Sequence, residues 1–307
     1  MLKSRVITAV ILLVLFLLAA FLLPDGGWAA LVTVVVLQSA AEWSRLSRFG
    51  HAEANLFWGL TLVVMLGLIW FDASHTPEQT LYTHVAVFTL SAILWLVIVP
   101  AWLIAGWKVR LPDSDTLLAK PADSGRRQGD GIPAPDASQR RVMPSVLMAL
   151  VGWAVLIPTG LAMLDLRIGH PWWLLGMMSL VWVADISAYF AGRKYGKTKL
   201  APSISPGKTW EGVAGAILGV SFCVLLAWSF SPYSKHVAFL PTVLMASWCW
   251  VGLAVLGDLF ESAIKRQAGV KDSGALLPGH GGLLDRIDAL TSTLPIAALA
   301  ILLQHIG

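Results

Sequence analysis

The chain has 307 residues, of which 57% are hydrophobic and only 13% charged, and its mean hydropathy is +0.72. Soluble domains carry roughly 25% charge, so this composition excludes an ordinary soluble globular protein and points to a bilayer. The 15 tryptophans suit membrane interfaces, while a formal charge of +4 is too small to call for a nucleic-acid partner.

A window of about 20 residues predicts about nine spanning helices. The first, 6–23, follows Lys3 and Arg5 as a signal peptide would, but the chain beyond it is membrane throughout, so an uncleaved helix is expected. Segments 28–44, 55–71 and 84–107 complete an N-terminal group, 1–110. Residues 111–142 are rich in Pro, Gly, Ser and Asp without hydrophobic period, and read as a mobile cytoplasmic insertion with no chemistry of its own. A C-terminal region, 143–307, adds 145–164, 171–191, 212–230, 237–258 and 289–306. The fold class is therefore all-α and polytopic. No internal repeat of the transporter kind is visible. Cys223 and Cys249 lie in apolar runs without metal-binding spacing and are expected as core thiols.

Orientation follows from the cations. With the N-terminus in the cytoplasm and sides alternating, only Arg167 and Lys235 of the 22 Lys and Arg fall outside. The outside loop 72–83 holds Asp72 and Glu78 and no cation. This bias is the positive-inside pattern.

The polar residues of the C-terminal half concentrate in two cytoplasmic loops, 184–212 and 257–288. Asp258, Ser262 and Lys265 are spaced i, i+4, i+7 and share one face of a helix. A carboxylate at membrane depth costs of order 2.5–3.5 kcal/mol and needs a partner, a cavity or a metal, which applies to Asp258 and to Asp185. Asp285 and Asp288, at i and i+3, open the last helix. One acid suffices to cap a helix, so three carboxylates near one boundary point to Mg²⁺, which takes oxygen ligands together with substrate phosphates. The matching cations are Lys208, Lys265, Arg266, Lys271 and Arg286. They stand in loops whose Gly and Ser residues, among them Ser205, Gly207, Gly281 and Gly282, let backbone amides approach phosphate. "SPGKTWEG" is no Walker loop, because position 202 is Pro where that pattern requires Gly. His280 reads equally as a base, a ligand or a polar turn residue. Metal-binding acids, phosphate-binding cations and a cytoplasmic membrane face together describe phosphoryl or nucleotidyl transfer onto a lipid.

The run Ser262-x-Ile264-Lys265-Arg266, four residues, Lys271-Asp272-x-Gly274, two residues, Leu277-Pro278-x-His280-Gly281-Gly282-Leu283-x-Asp285-Arg286-Ile287-Asp288 resembles the signature of the phosphatidate cytidylyltransferases, with no departure at a fixed position. "SPGKTWEG" and the stretch around Asp185 are also similar to that family. The resemblance is strong over 171–290 and rests before that on helical organisation alone. It implies CTP and phosphatidate as substrates, CDP-diacylglycerol and pyrophosphate as products, Mg²⁺ with or without a second metal ion, and a polytopic dimeric enzyme, while the compact chain without a long soluble domain is expected in a bacterial inner membrane. It further implies Asp258, Asp285 and Asp288 as metal ligands. Lys208, Lys265, Arg266, Lys271 and Arg286 would hold phosphates, with Ser205, Gly207, Ser262, His280, Gly281, Gly282 and Asp185 as further substrate contacts. The rival readings are a CTP-dependent transferase for another lipid phosphate or a polyprenol, and a transporter. A CDP-alcohol phosphatidyltransferase fits worse, since "DGIPAP" has Pro135 where its motif needs Arg.

Overall fold

The computed structural model describes residues 2–106, 145–276 and 281–304. The expected insertion at 111–142 and His280 lie outside them. In chain order the elements are α1 (Leu2–Leu22), α2 (Asp25–Leu46), α3 (His51–Ser74) and α4 (Pro77–Ile93). A π-helical turn, Leu94–Ile98, leads into α5 (Val99–Gly106). Then come α6 (Ser145–Gly169), α7 (Pro171–Tyr195), β1 (Lys199–Ala201), β2 (Ser205–Thr209), α8 (Trp210–Phe230), α9 (Leu240–Ala268) and α10 (Leu284–Leu303). The protein is an all-α membrane protein: among the described residues seven helical segments are long and apolar enough to cross a bilayer, counting Pro77–Ala105 as one. Helices α1 and α2 fall outside those seven. Among the described residues Val10–Leu22 of α1 is a shorter apolar stretch, while α2 carries Gln38, Glu42 and Arg45 among its apolar residues.

Local chemistry sets the helix boundaries. Thr76 caps α4 through a reciprocal pair with Gln79, with Pro77 in the first turn, where a missing N–H costs nothing. Thr209 Oγ1 accepts the Gly212 amide at the start of α8, and Gly269, at φ 72°, ends α9 in the left-handed region. The π turn precedes Pro100, which has no amide to give the carbonyl four residues back. There the Val99 amide reaches Leu94 instead.

Helices α6 and α10 form the centre, with 61% and 56% of their apolar stretches buried against 11% for α8, so the outer face of α8 is left for lipid. Helix α7 packs most extensively on α8. Glycines at that seam explain the closeness, since a β-carbon on Gly212 would lie 3.1 Å from the Ala188 carbonyl oxygen. Long-range bonds show which helix ends share a side. Arg48 reaches the Ala268 carbonyl and Glu42 reaches the amides of Leu283 and Leu284 at one end. Arg167 pairs with Asp25 and the Ala20 carbonyl, and His84 bridges Asp72 and Asp165, at the other.

Three expectations change. The helices outrun their apolar windows: α9 continues past 258 to Ala268, α7 past 191 to Tyr195, and α10 starts at Leu284 rather than 289. Their polar end turns are satisfied by partners, and a hydropathy window senses solvent rather than the helix itself. Within the loop 184–212 there is also a small antiparallel hairpin, pairing Lys199 with Thr209 and Ala201 with Ser205. Finally, the cysteines are not core thiols, because Cys249 is exposed and Cys223 half-buried.

Candidate active site

A cleft of about 460 Å³ opens between α7, the hairpin, α8 and α9. Asp185 and Arg193 line it from α7, Ser205, Gly207 and Lys208 from β2, and Asp258 from α9. Lys208 Nζ pairs with Asp258 Oδ2, both side chains about three-quarters buried. Asp185 lies close enough to feel both charges. The hairpin that carries Lys208 is held in place twice. Glu211 accepts the Thr198 amide at 3.0 Å, and Arg266 Nε donates to the Ile204 carbonyl at 3.2 Å. One expected phosphate ligand, Arg266, thus already ties the hairpin to α9.

Beyond Asp258 the polar groups continue. Asp288, half-buried on α10, interacts with Asp258 and with Glu261. Glu261 Oε2 accepts from Lys265 Nζ at 2.8 Å, and the same ammonium donates to Asp285 Oδ1 at 2.8 Å. Asp285 also takes the amides of Ser273 at 3.0 Å and Gly282 at 2.8 Å. Gly281 beside it has φ 82°, a conformation that suits glycine. The chain Lys208–Asp258–Asp288–Glu261–Lys265–Asp285 therefore runs from the cleft to the motif loop, alternating in sign except where three carboxyls adjoin.

The expected ligand set of Asp258, Asp285 and Asp288 is not gathered at one point, and among the described residues no three acidic, His or Cys side chains form a ready metal cage. The oxygens of Asp285 are occupied by an ammonium and two amides. The acids Asp258, Asp288 and Glu261 can offer one or two carboxylates to a divalent cation, short of a three-ligand cage. Their like charges adjoin, and Glu261 Oε1 is buried with no hydrogen-bond donor among the described residues. Mg²⁺ usually needs only one or two carboxylates, with phosphates and water completing its shell. Of the remaining predicted residues, Ser262 and Gly282 are half-buried and buried respectively, while Lys271 and Arg286 are exposed around the loop.

The chain matches the cytidylyltransferase family over residues 3–304. It belongs to that family. A relative from Haemophilus influenzae named phosphatidate cytidylyltransferase is 33% identical over 314 residues, covering 96% of each chain. One of the same name from Pseudomonas aeruginosa is 35% identical over 298 residues, covering 97% of this chain and 96% of its own. A third so named, from Thermotoga maritima, is 40% identical over 136 residues, 39% of this chain and 46% of the relative. For a cytidylyltransferase, a cleft that pairs acids with cations at the end of a helical bundle is the expected chemistry.

Two site residues escaped the sequence reading. Glu261 had a legible signal, since it stands four residues before Lys265 on a helix, where acid and base attract. Glu42 is wholly buried on α2 and accepts from Ser273 Oγ and from the Leu283 and Leu284 amides. Its only signal was an acid in an apolar run.

Proposed function

We propose that the protein is a phosphatidate cytidylyltransferase, joining CTP and phosphatidate into CDP-diacylglycerol with release of pyrophosphate. Near full-length similarity to two relatives of that name supports the reading. The observation that carries it is the continuous acid–cation chain from Lys208 in the cleft to Asp285 in the loop. The cleft volume is within the range of small-molecule sites, about 300–1,000 Å³.

In this reading a phosphate oxygen of phosphatidate attacks the α-phosphorus of CTP. The bond from that phosphorus to the bridging oxygen breaks, and its electrons leave with pyrophosphate. A phosphate monoester has its second ionisation near about pH 6, so the lipid is mostly dianionic at neutral pH and needs no general base. The protein's task is to bring two anions together and stabilise charge on the leaving group. Lys208 exchanges Asp258 for a CTP phosphate, and Lys265, fixed from both sides by Glu261 and Asp285, faces the departing one. Arg266 keeps the hairpin aligned, and Lys271 and Arg286 offer further charge at the mouth. Asp258 and Asp288, with Glu261 beside them, would hold Mg²⁺, which when bound draws negative charge from the phosphates. Asp285 serves to orient Lys265 and the loop. The same reading carries an inner-membrane location, a site on the cytoplasmic face, where the cations cluster, and a homodimeric assembly.

The test is pyrophosphate release by purified protein in detergent, omitting CTP, phosphatidate and Mg²⁺ in turn. Release that needs all three is the expected result. Release only with another lipid phosphate or polyprenyl acceptor would move the substrate, and none with any acceptor in folded protein would overturn the reading.

A further inference from the structure

Helix α2 lines neither the cleft nor the acid–cation chain, yet its end grips both flanks of the motif loop. Glu42 is fully buried. Its Oε1 accepts from the Leu283 amide at 2.9 Å and Gln38 Nε2 at 3.2 Å, and its Oε2 from the Leu284 amide and Ser273 Oγ, both at 2.8 Å. Four donors fill the four acceptor positions of a carboxylate, so Glu42 has no capacity left for substrate. Helix α10 has no side-chain cap of its own, and Glu42 supplies one from another helix. Six residues on, Arg48 Nη2 donates to the Ala268 carbonyl at 3.0 Å, at the end of α9. Negative charge at a helix start and positive charge at a helix end are the signs that helix dipoles favour. Ser273 links this clamp to the site, giving its hydroxyl to Glu42 and its amide to Asp285. Gly274 packs directly on the carboxylate, where a β-carbon would stand 3.0 Å from Oε1.

We infer that Glu42 is a positioning residue for the transfer reaction: from α2 it holds the start of α10, and so sets Asp285 against Lys265 and Asp288 against Asp258. Its kinetic consequence rests on the nucleotidyl-transfer reading; its structural consequence does not. Glutamine at 42 keeps the size but turns an NH₂ group toward amide donors, which loosens the loop without opening a cavity.

The experiment compares the full-length protein with Glu42→Gln, Glu42→Asp and, as an equally buried control on the same helix, Ser39→Ala. Amide hydrogen exchange is read across the chain, and pyrophosphate release is titrated with CTP and with Mg²⁺. In Glu42→Gln, protection should fall at Ser273 and over 282–288 while α4 and α6 keep theirs. Its kcat/KM for CTP should drop about 10–100-fold, the usual cost of losing a partner that orients a metal or catalytic group, with a higher half-saturating Mg²⁺. Glu42→Asp, which retains the charge, should recover part of both, and Ser39→Ala should behave as the parent. Unchanged exchange over 269–288 in Glu42→Gln overturns the inference, as do parental CTP and Mg²⁺ dependences. Equal loss of protection throughout the bundle in both Glu42 variants would make Glu42 a general fold residue and also overturn it. A parent protein that releases no pyrophosphate would sink the substrate reading instead, and the exchange comparison would still decide the role of Glu42.

Discussion

Lys265 and Lys208 are both lysines paired to aspartate, yet they should fail differently when removed. The Lys265 side chain is 12% exposed and holds two carboxylates that are 4% and 5% exposed. Lys265→Met strands both acids in a dry environment, and breaking a buried pair from one side costs about 3–5 kcal/mol. The expected outcome is a clear fall in thermal midpoint together with loss of turnover; an unshifted midpoint would contradict the bonding described. Lys208 has one partner and sits at the cleft wall, 26% exposed. Lys208→Ala should lower the midpoint less than Lys265→Met does, since it strands one acid rather than two, and should raise KM for CTP. A parental KM in that variant would remove Lys208 from the phosphate site. Residue types were legible in the sequence, and so was the shared face of Asp258 and Lys265. The division of labour among the aspartates was not, because it depends on which amides reach Asp285, and the Ser273 amide comes from a loop whose path no periodicity describes.

At the scale of elements, the α9–α10 crossing decides whether the carboxylates meet. Gly257 stands at that crossing, where a β-carbon would lie 2.6 Å from the Asp288 carbonyl oxygen and 3.1 Å from the Ala289 Cα. Backbone cannot step aside as a side chain does. Gly257→Ala should therefore push α10 away from α9 and separate Asp258 from Asp288, with activity lost and Mg²⁺ dependence weakened. Gly252→Ala, five residues earlier on the same helix with nothing within 4 Å, is the matched control and should be silent. Equal activity of the two variants would refute a tight crossing. Hydropathy located the helices but misjudged their ends, because Glu261 and Lys265 lie on helix beyond the apolar run, satisfied by each other rather than by water. The hairpin that presents Lys208 is too short for any strand pattern to reveal it.

For the whole molecule, the contacts sort the loops into two ends, and the cation bias supports the proposal that the end bearing the site faces the cytoplasm. With Cys223 and Cys249 replaced by Ala, Lys235→Cys should react with a membrane-impermeant maleimide on intact cells and Lys199→Cys only after permeabilisation. The reverse pattern would invert the topology. The apolar helices were readable from composition, since apolar length is a property of single segments. The buried polar ties were not: His84 with Asp72 and Asp165, or Glu42 with Leu284, join residues on different helices. The second of these ties also bears on biosynthesis. During translation α2 emerges long before α10, so for most of that time Glu42 lacks the Leu283 and Leu284 amides and the Ser273 hydroxyl that satisfy it in the finished bundle. A nascent chain stalled short of Ser273 leaves the Glu42 carboxylate with Gln38 alone of its four donors, a costly state for an acid that the finished bundle buries. The contact that we infer aligns the site would thus also distinguish an incomplete chain from a finished one.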